Sequence, residues 1–396
     1  LKKTIKKMHP SKAAGWDQIF PFYWQKLSSI HFALQNAINI SFEDGSRNSW
    51  ETLGRTILLP KPGKDLSKPE SYRPITCLQI IYKIRSALIT TKLNDHIHDN
   101  NLWPYEQLGT LSNNQGCKEI LIMDAMISEE VRLYKRNLYM CWTDIKKAFD
   151  SLYQNYILRI LQLIKVPQWI ITWISNAMLT WRTKLQLWKN NEVIITDAIN
   201  ISRGIFQGDT LSPLLFCIGY FMVSQKLKML RIGYVPGIPG KRDPSNMRSH
   251  FVFMDDFKGM TTNEASLGSL MKTCIEILKA LGLEVGLNKC AVMKVKCGKV
   301  ENMEGLKLDN DHVINNIDEG LGYAYLGILQ ILDPCHNQIK KILLSKDENC
   351  ANKIWKSNLT EQNKVKAHNM FVISKLHYSF GVIKWTKFEL DEIDRK

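Results

Sequence analysis

The chain has 396 residues, 45% of them hydrophobic, enough for two or three subdomains with a sizeable core. Lysine and arginine number 53 against 38 acidic residues, and the net charge of +15 favours an anionic partner, nucleic acid first. The longest apolar run, residues 211–223, is too short to span a bilayer, and the 9 cysteines show neither a CxxC pair nor zinc spacing. We therefore expect no membrane partner, a reduced intracellular compartment and, because no Met begins the sequence, a fragment of a longer reading frame.

The N-terminal third of the chain is predicted to combine helices with one strand. Residues 1–50 indicate a basic lead followed by helix, and residues 55–59 indicate a strand that Pro60 ends. A turn that runs into an amphipathic helix is predicted over 71–97, and a second helix over 116–136.

The middle of the chain begins with an apolar strand over 138–143, after which the sequence becomes polar and compact. Two helices separated by Pro167 follow, and then a hairpin over 183–199 that turns at 189–191. Residues 202–227 indicate a glycine-bearing loop that opens a long buried helix.

The C-terminal third begins with an acidic strand in FVFMDDFKGM, residues 251–260, and a helix over 263–281. Strand character returns around Lys289, and residues 323–332 indicate one short strand. The basic, aromatic tail over 335–396 is predicted to be helical. Because no repeat and no flexible linker occurs, we expect one continuous catalytic body of α+β class.

Three aspartates are the candidate catalytic residues. Asp144 ends one apolar strand, and Asp255 and Asp256 end or turn another. Burying bare carboxylates costs far more free energy than an apolar strand returns, unless a cation meets them. Mg²⁺ prefers oxygen ligands, and two such ions can stabilise both an attacking 3′-oxygen and a leaving pyrophosphate. The pattern therefore indicates a two-metal phosphoryl-transfer site, although a lone Asp-Asp pair is more often a surface turn.

Residues downstream of Asp144 are candidates for binding a nucleotide. Phe149 could pack under the sugar of an incoming nucleotide and exclude a 2′-hydroxyl, with a plain core Phe as the alternative. Gln207 can hydrogen-bond a sugar or a base edge, and Gly208 lets the backbone approach a base or template strand closely. A simple loop-to-helix junction explains the glycine but explains Gln207 poorly.

Four cations complete the candidate substrate site. Arg55, Lys61 and Arg73 lie on the upstream strand and turn elements and could bind a triphosphate. Lys289 is a candidate proton donor to pyrophosphate, which would require a tuned pKa. In a chain this basic, each of them could equally be a solvated surface charge.

The ordered set of these residues resembles the motifs of reverse transcriptases, specifically those of non-LTR (LINE-type) retrotransposons. The resemblance covers nearly the whole chain and ends in the thumb-like tail from residue 379. The motifs are, in chain order, KAAGWDQI (12–19), LLPKPGKD (58–65), SYRPITCLQIIYKI (71–84), TDIKKAFD (143–150), GIFQGDTLSPLLF (204–216), FMDD (253–256), GLNKC (286–290) and YAYLGI (323–328).

The resemblance implies a right-hand polymerase fold of fingers, palm and thumb. It implies RNA-templated extension of a DNA primer with dNTPs and two Mg²⁺ ions, which Mn²⁺ could replace. It assigns metal ligation to Asp144, Asp255 and Asp256, and a primer grip to Tyr325, Leu326 and Gly327. The expected divisions are an N-terminal extension over 1–53, fingers over 54–137, palm with part of the fingers over 138–330, thumb over 331–396, and a reverse transcriptase domain over about 43–330.

Some residues depart from the family pattern. Phe253 stands where Tyr is frequent in the family, so the hydroxyl group is absent but the aromatic ring remains. The residues FKGM after the acids are less apolar than usual, so we expect weaker strand packing there. Neither an endonuclease domain nor a zinc-knuckle tail is recognisable. Action in the nucleus follows only from the chromosomal primer of such elements, and the oligomeric state stays open.

Two other functions remain compatible with the sequence. A non-enzymatic RNA-binding scaffold derived from such an element would use the same basic charge, because phosphate neutralisation supplies most nonspecific affinity. A polymerase of another lineage, such as a group II intron maturase, would keep the same acids. Three acids in a groove that binds phosphate argue against the scaffold, and residues 12–19 together with the tail favour the LINE type.

The assignment of Phe149 as the residue that excludes a 2′-hydroxyl is testable. Replacing Phe149 with Ala should raise ribonucleotide incorporation relative to deoxynucleotide incorporation, because the 2′-hydroxyl would no longer meet the ring. Single-nucleotide extension with matched rNTP and dNTP measures this ratio. An unchanged ratio would make Phe149 a core residue.

Overall fold

The computed structural model describes residues 1–45, 49–110, 114–189, 192–308, 312–317 and 322–395. The helices are α1 (Lys2–Lys7), α2 (Pro21–Lys26), α3 (His31–Glu43), α4 (Ile80–Asp99), α5 (Cys117–Leu133), α6 (Ala148–Ser151), α7 (Gln154–Leu163), α8 (Gln168–Thr180), α9 (Ser212–Met229), α10 (Glu264–Ala280), α11 (His336–Trp355), α12 (Glu361–His368), α13 (Ser374–Ser379) and α14 (Lys387–Arg395). The strands are β1 (Leu53–Pro60), β2 (Tyr72–Cys77), β3 (Leu138–Thr143), β4 (Ile145–Lys146), β5 (Arg182–Lys189), β6 (Glu192–Ile195), β7 (Ile199–Asn200), β8 (His250–Phe253), β9 (Asp256–Thr261), β10 (Glu284–Val285), β11 (Ala291–Lys296), β12 (Lys299–Glu301), β13 (Leu306–Lys307), β14 (Val313–Ile314), β15 (Tyr323–Tyr325) and β16 (Ile328–Gln330).

The chain divides into two compact units, each made of separate chain segments. The first unit comprises Leu1–Thr110, Ile145–Lys226 and Ile275–Val285, and the second comprises Leu111–Asp144, Leu227–Cys274 and Gly286–Lys396. The expectation of one continuous body therefore differs from the structure. Two of the unit boundaries fall inside α9 and α10, so no Gly- or Pro-rich linker marks them in the sequence.

The first unit contains a five-stranded sheet with the order β2-β1-β5-β6, in which β7 also pairs with β5. β1 is antiparallel to β2 and parallel to β5. Thr56 of β1 lies between Thr76 and Thr183, with Oγ1–Oγ1 distances of 2.7 and 2.6 Å. The predicted strand at 55–59 is confirmed, whereas the predicted turn after residue 71 is wrong, because residues 72–77 pair with β1 as β2.

The second unit contains an all-antiparallel sheet with the order β12-β11-β3-β9-β8. Every residue of the central strand β3 is buried, as expected of LYMCWT packed on both faces. The predicted strand over 138–143 and the helix near 116–136 are confirmed as β3 and α5. Helices and antiparallel sheet in one chain confirm the α+β class.

The predicted single strand over 323–332 is instead a hairpin. β15 and β16 pair antiparallel, with Tyr325 opposite Ile328. The two connecting residues, Leu326 and Gly327, have φ values of 47° and 77°. A two-residue hairpin turn of this kind needs positive φ at both positions, which Gly adopts freely and Leu only at a cost. The leucine at the first position hid the turn in the sequence.

The predicted helices on either side of Pro167 and over 263–281 are confirmed as α7, α8 and α10. The predicted hairpin is confirmed in β5 and β6, and residues 190–191 of its turn lie outside the described residues. Cys141, Cys217, Cys274 and Cys290 are buried and in the thiol form, an environment that suits a small apolar side chain.

A buried ion pair in the first unit makes the fold testable. Arg85 of α4 donates to Glu51, and the side chains are only 8% and 4% exposed. Glu51→Ala should lower the free energy of unfolding by about 3–5 kcal/mol, because it leaves the guanidinium buried and unpaired. Denaturant unfolding measures the loss. The double variant Glu51→Leu/Arg85→Met should recover most of it, and equal losses in both variants would contradict this account.

Candidate active site

The pairing of β3 with β9 brings two of the three predicted acids together. Thr143 lies opposite Phe257 at the last pair of this ladder. One step further along both strands stand Asp144 and Asp256, so their side chains leave the same end of the sheet. Asp255 lies in the two-residue turn that joins β8 to β9, between the paired residues Phe253 and Asp256. All three carboxylates thus belong to the second unit and lie at one end of its sheet, where β3 ends and β9 begins.

Burial and neighbouring negative charge raise the pKa values of Asp255 and Asp256. Burial raises the pKa of Asp255, and the charge of Asp144 raises it further. Burial, followed by the charges of Asp255 and Asp144, raises the pKa of Asp256 to about 6. Together with the strand register, these charge effects indicate that this end of the sheet attracts positive charge.

One protein cation meets the acids. Lys289 Nζ lies 2.8 Å from Asp144 Oδ2, and its own backbone carbonyl accepts a 3.0 Å hydrogen bond from the Tyr323 hydroxyl. The Lys289 side chain is 65% exposed, so this ion pair is readily exchanged for another partner. The predicted proton donor is therefore beside the acids, on the short turn of helix that precedes β11.

The donor set fits a divalent ion that prefers oxygen. Carboxylate oxygens are the ligands that Mg²⁺ takes, and three acids against one lysine leave an excess of negative charge. Within the described residues, however, no three His, Cys, Asp or Glu side chains already surround a common point. Asp144 is turned toward Lys289, so metal binding would require this ion pair to open.

Met254, next to the acids, was not singled out from the sequence. Its φ is 57°, a conformation that non-glycine residues rarely adopt. Strained residues of this kind persist where the surrounding structure fixes them, and they are concentrated at functional sites. The tight turn holds Asp255 between two paired strands, which a longer loop would not do.

The predicted nucleotide-binding loop lies in the first unit, where Gln207 and Gly208 contact protein groups. Gln207 Nε2 donates to Asp150 Oδ1 at 3.1 Å, and the Gln207 carbonyl accepts from the Thr76 amide at 2.8 Å. Gly208 has a φ of 126°, and a Cβ there would lie 2.5 Å from the Thr76 carbonyl oxygen. The glycine is thus required for close approach to β2.

Asp150 connects the other loop residues. Burial raises its pKa, while the hydrogen bond from Gln207 and the charges of Lys147 and Lys61 lower it. Lys61 also donates to the Glu70 carbonyl at 2.7 Å. Gln207 thus hydrogen-bonds Asp150, and the positive charge of Lys61 acts on the same acid.

Phe149 is half-buried and stacks on Phe216 of α9, with ring centroids 4.9 Å apart and an interplanar angle of 12°. This packing is compatible with both interpretations of Phe149, because a ring fixed against Phe216 can belong to the core and can also exclude a 2′-hydroxyl. The 2′-hydroxyl assignment stays a prediction.

The two predicted arginines differ in their contacts. Arg55 donates to the Ala14 carbonyl at 3.0 Å and to Gln186 Oε1 at 3.3 Å, so it holds the N-terminal segment. Arg73 is exposed on β2, opposite Leu59, and makes no ion pair within the part of the chain that the structure describes. Arg73 is therefore the freer of the two to meet a phosphate.

The predicted primer grip is the turn of the β15–β16 hairpin. The Tyr378 hydroxyl of α13 donates to the Leu326 carbonyl at 2.7 Å, and Gly327 turns the chain. Tyr325 is buried, with its side chain directed into the unit. Leu326 and Gly327 thus present backbone at the turn, while Tyr325 holds the hairpin in place. Tyr378 could not be singled out from the sequence.

The expectation of weak packing at FKGM is wrong for Lys258. Its side chain is fully buried, and Nζ lies 2.6 Å from Asp124 Oδ1 and 2.9 Å from Gln330 Oε1. An acid from α5 and an amide from β16 thus satisfy the buried lysine. A lysine inside an apolar strand was the available signal, but its partners are distant in sequence.

Comparison with known proteins finds a family model that covers most of the chain. Residues 59–328 match the family model described as "Reverse transcriptase (RNA-dependent DNA polymerase)". The Pol polyprotein of the type-2 retrotransposable element R2DM of Drosophila melanogaster is 25% identical over 70% of this chain and 25% of its own length. The Pol polyprotein of the type-1 element R2 of Nasonia vitripennis is 26% identical over 80% of this chain and 29% of its own length.

Other similarities are more distant. The probable RNA-directed DNA polymerase from transposon X-element of Drosophila melanogaster is 25% identical over 42% of this chain and 18% of its own length. Apo telomerase from Candida tropicalis superposes with a TM-score of 0.49 at 13% identity, covering 92% of this chain and 65% of the telomerase chain. The chain spans about a quarter to a third of the length of the first curated relatives it matches. No described helix combines the length and apolarity needed to cross a membrane.

The raised pKa of Asp256 gives a pH-dependent stability. Because its folded-state pKa is about 6, above the 3.8 of an ordinary aspartate, protons bind the folded state preferentially. The metal-free protein should lose stability as pH rises from about 4 through 6, and Asp256→Asn should weaken this loss. Thermal unfolding in EDTA measures it. Added Mg²⁺ should raise the wild-type midpoint at pH 7.5 more than that of the variant; equal responses would contradict the proposed ligand.

Proposed function

Because the chain belongs to the reverse transcriptase (RNA-dependent DNA polymerase) family, we propose that it extends the 3′-hydroxyl of a DNA primer on an RNA template. The observation that carries this proposal is the convergence of Asp144, Asp255 and Asp256 at one end of an antiparallel sheet. Carboxylates that repel one another at a sheet edge are suited to holding cations, and a phosphoryl-transfer reaction needs them there.

The family assignment confirms the LINE-type reverse transcriptase that the motifs predicted. It also confirms the right-hand polymerase fold, with helices and an antiparallel sheet as observed, and it supports RNA-directed DNA polymerase activity as the function proposed for this chain. The expected divisions into N-terminal extension, fingers, palm and thumb stay a proposal, as does action in the nucleus.

Divalent metal ions are general in this family, and we propose Mg²⁺, with two ions held by Asp144, Asp255 and Asp256. When bound, the ions would supply charge stabilisation at the attacking and leaving oxygens. Asp255 and Asp256 hold fixed positions in the β8–β9 turn, whereas Asp144 would release Lys289. Lys289, once released, would be an exposed cation beside the acids, which supports its proposed role as proton donor.

The substrate contacts proposed for the first unit follow from its free polar groups. Arg73 is exposed and could bind a triphosphate in bidentate fashion. Gln207 is held by Asp150, and the positive charge of Lys61 acts on the same acid, so both remain the proposed contacts with a nucleotide or template. Arg55, already bonded to Ala14 and Gln186, supports the N-terminal segment instead. In the second unit, the backbone of Leu326 and Gly327 is the proposed contact with the primer.

An element-derived RNA-binding scaffold is the second candidate. Its distinguishing property would be salt-dependent binding of primer–template without extension. The clustered carboxylates count against it, since Asp144 and Asp255 are half-buried and like charges this close cost folding free energy that a scaffold has no reason to retain.

Primer extension on a homopolymer RNA template, with labelled dNTP and Mg²⁺, tests the proposed function directly. The wild-type chain should extend the primer, and Asp255→Asn should lower the rate by on the order of a hundredfold or more, because even outer-shell partners of a metal site cost roughly 10- to 100-fold. Primer–template binding by the variant should remain measurable.

Asp243→Asn is the matched control. Asp243 is an exposed acid of the second unit that caps a short helical turn through Ser245, so its loss should leave extension unchanged. Equal extension by wild type and Asp255→Asn would refute the metal role. Binding without extension by the wild type would favour the scaffold.

A further inference from the structure

Lys258 occupies an unusual position directly beneath the acids. It is two residues after Asp256 on β9, so both side chains leave the same face of the strand. It stands opposite Trp142 of β3, which precedes Asp144 by two residues. Lys258 and Trp142 therefore form the layer of side chains next to the Asp144–Asp256 pair. Lys258 Nζ lies 4.5 Å from the Trp142 ring centroid, in a cation–π contact.

A fully buried ammonium group carries a large desolvation cost, which only close partners offset. Lys258 has two such partners from different elements: Asp124 of α5 at 2.6 Å and Gln330 of β16 at 2.9 Å. Asp124 alone would neutralise the charge. Gln330 is 2% exposed and brings no charge, so its contribution is to connect the lysine to the β15–β16 hairpin.

The hairpin packs its aromatic face on the same layer. Tyr323 stacks on Trp142, with ring centroids 5.3 Å apart and an interplanar angle of 23°. The Tyr325 ring centroid lies 5.6 Å from Lys258 Nζ. Tyr323 and Tyr325 are two residues apart on β15, so one face of the hairpin meets both members of the layer. Lys258 thus contacts both strands of this hairpin.

We propose that Lys258 is a positioning residue that fixes the β15–β16 hairpin, and with it the Leu326–Gly327 turn, against the layer beneath the catalytic acids. The inference rests on the proposed function, because it assigns the hairpin turn to the primer. A lysine at the centre of four elements sets the distance between the turn and the acids. An apolar residue at 258 would fill the same space without fixing Gln330.

The competing explanation is that Lys258 only forms a structural ion pair with Asp124. Variants of Gln330 distinguish this explanation from the positioning role. Gln330→Met removes the hydrogen bond to the hairpin but leaves the Lys258–Asp124 pair intact. Gln330→Glu keeps an oxygen acceptor for Lys258 at the same place. Thr261→Val is the matched control, because it removes a buried hydroxyl of β9 that donates to the Asn263 carbonyl, away from the hairpin.

The test combines steady-state extension with hydrogen exchange in the full chain. Gln330→Met should raise KM for primer–template on the order of tenfold, as expected when a positioned group shifts by less than about 1 Å, with KM for dNTP unchanged. Amides of residues 322–330 should exchange faster than in the wild type. Gln330→Glu should restore both values toward the wild type, and Thr261→Val should change neither.

The two hypotheses fail in different ways. Wild-type protein that extends no primer would refute the proposed function, while the exchange rates of residues 322–330 would still decide whether Lys258 fixes the hairpin. Gln330→Met with wild-type exchange rates and an unchanged KM for primer–template would overturn the positioning role. A KM for dNTP that rises as much as that for primer–template would also overturn it, because the effect would then be general.

Discussion

Electrostatic repulsion among three carboxylates at the end of the β3–β9 ladder is the constraint on which the second unit depends. The register that places Thr143 opposite Phe257 also places Asp144 beside Asp256, so strand pairing and charge repulsion cannot be separated. A central strand buried along its full length supplies the apolar packing that keeps the ladder closed against this repulsion. Lys289 offsets part of it from an exposed position, where it can be exchanged for a stronger cation.

The cations of the chain serve two different purposes, and burial distinguishes them. Lys289 and Arg73 are exposed, so their charges remain available to ligands at little cost in hydration. Lys258 and Arg85 are buried against acids, where their charges fix the protein's own elements. The net charge alone therefore overstates how much of the basic character faces a nucleic acid.

Sequence patterns predicted the elements that depend on local information. The apolar run LYMCWT and the helices around Pro167 were recognisable, because periodicity acts within a few residues, whereas the acidic strand predicted over 251–260 is the hairpin of β8 and β9. The three acids were found because two apolar strands lead directly into them. β2 was missed because its strand character arises from pairing with β1, and the 326–327 turn because a Leu occupies a position that favours Gly or Asn.

Long-range partners were not predictable in the same way. In the sequence, Lys258 is a charged residue inside an apolar strand with no visible partner. The structure supplies two partners, Asp124, which is 134 residues earlier, and Gln330, which is 72 residues later. The same holds for Tyr378, which donates to the Leu326 carbonyl across 52 residues. A single polar residue in a buried strand states only that a partner must exist, since an unpaired charge there would unfold the protein. The identity of that partner depends on the tertiary fold, and here the contact between Lys258 and Gln330 connects the β8–β9 hairpin to the β15–β16 hairpin.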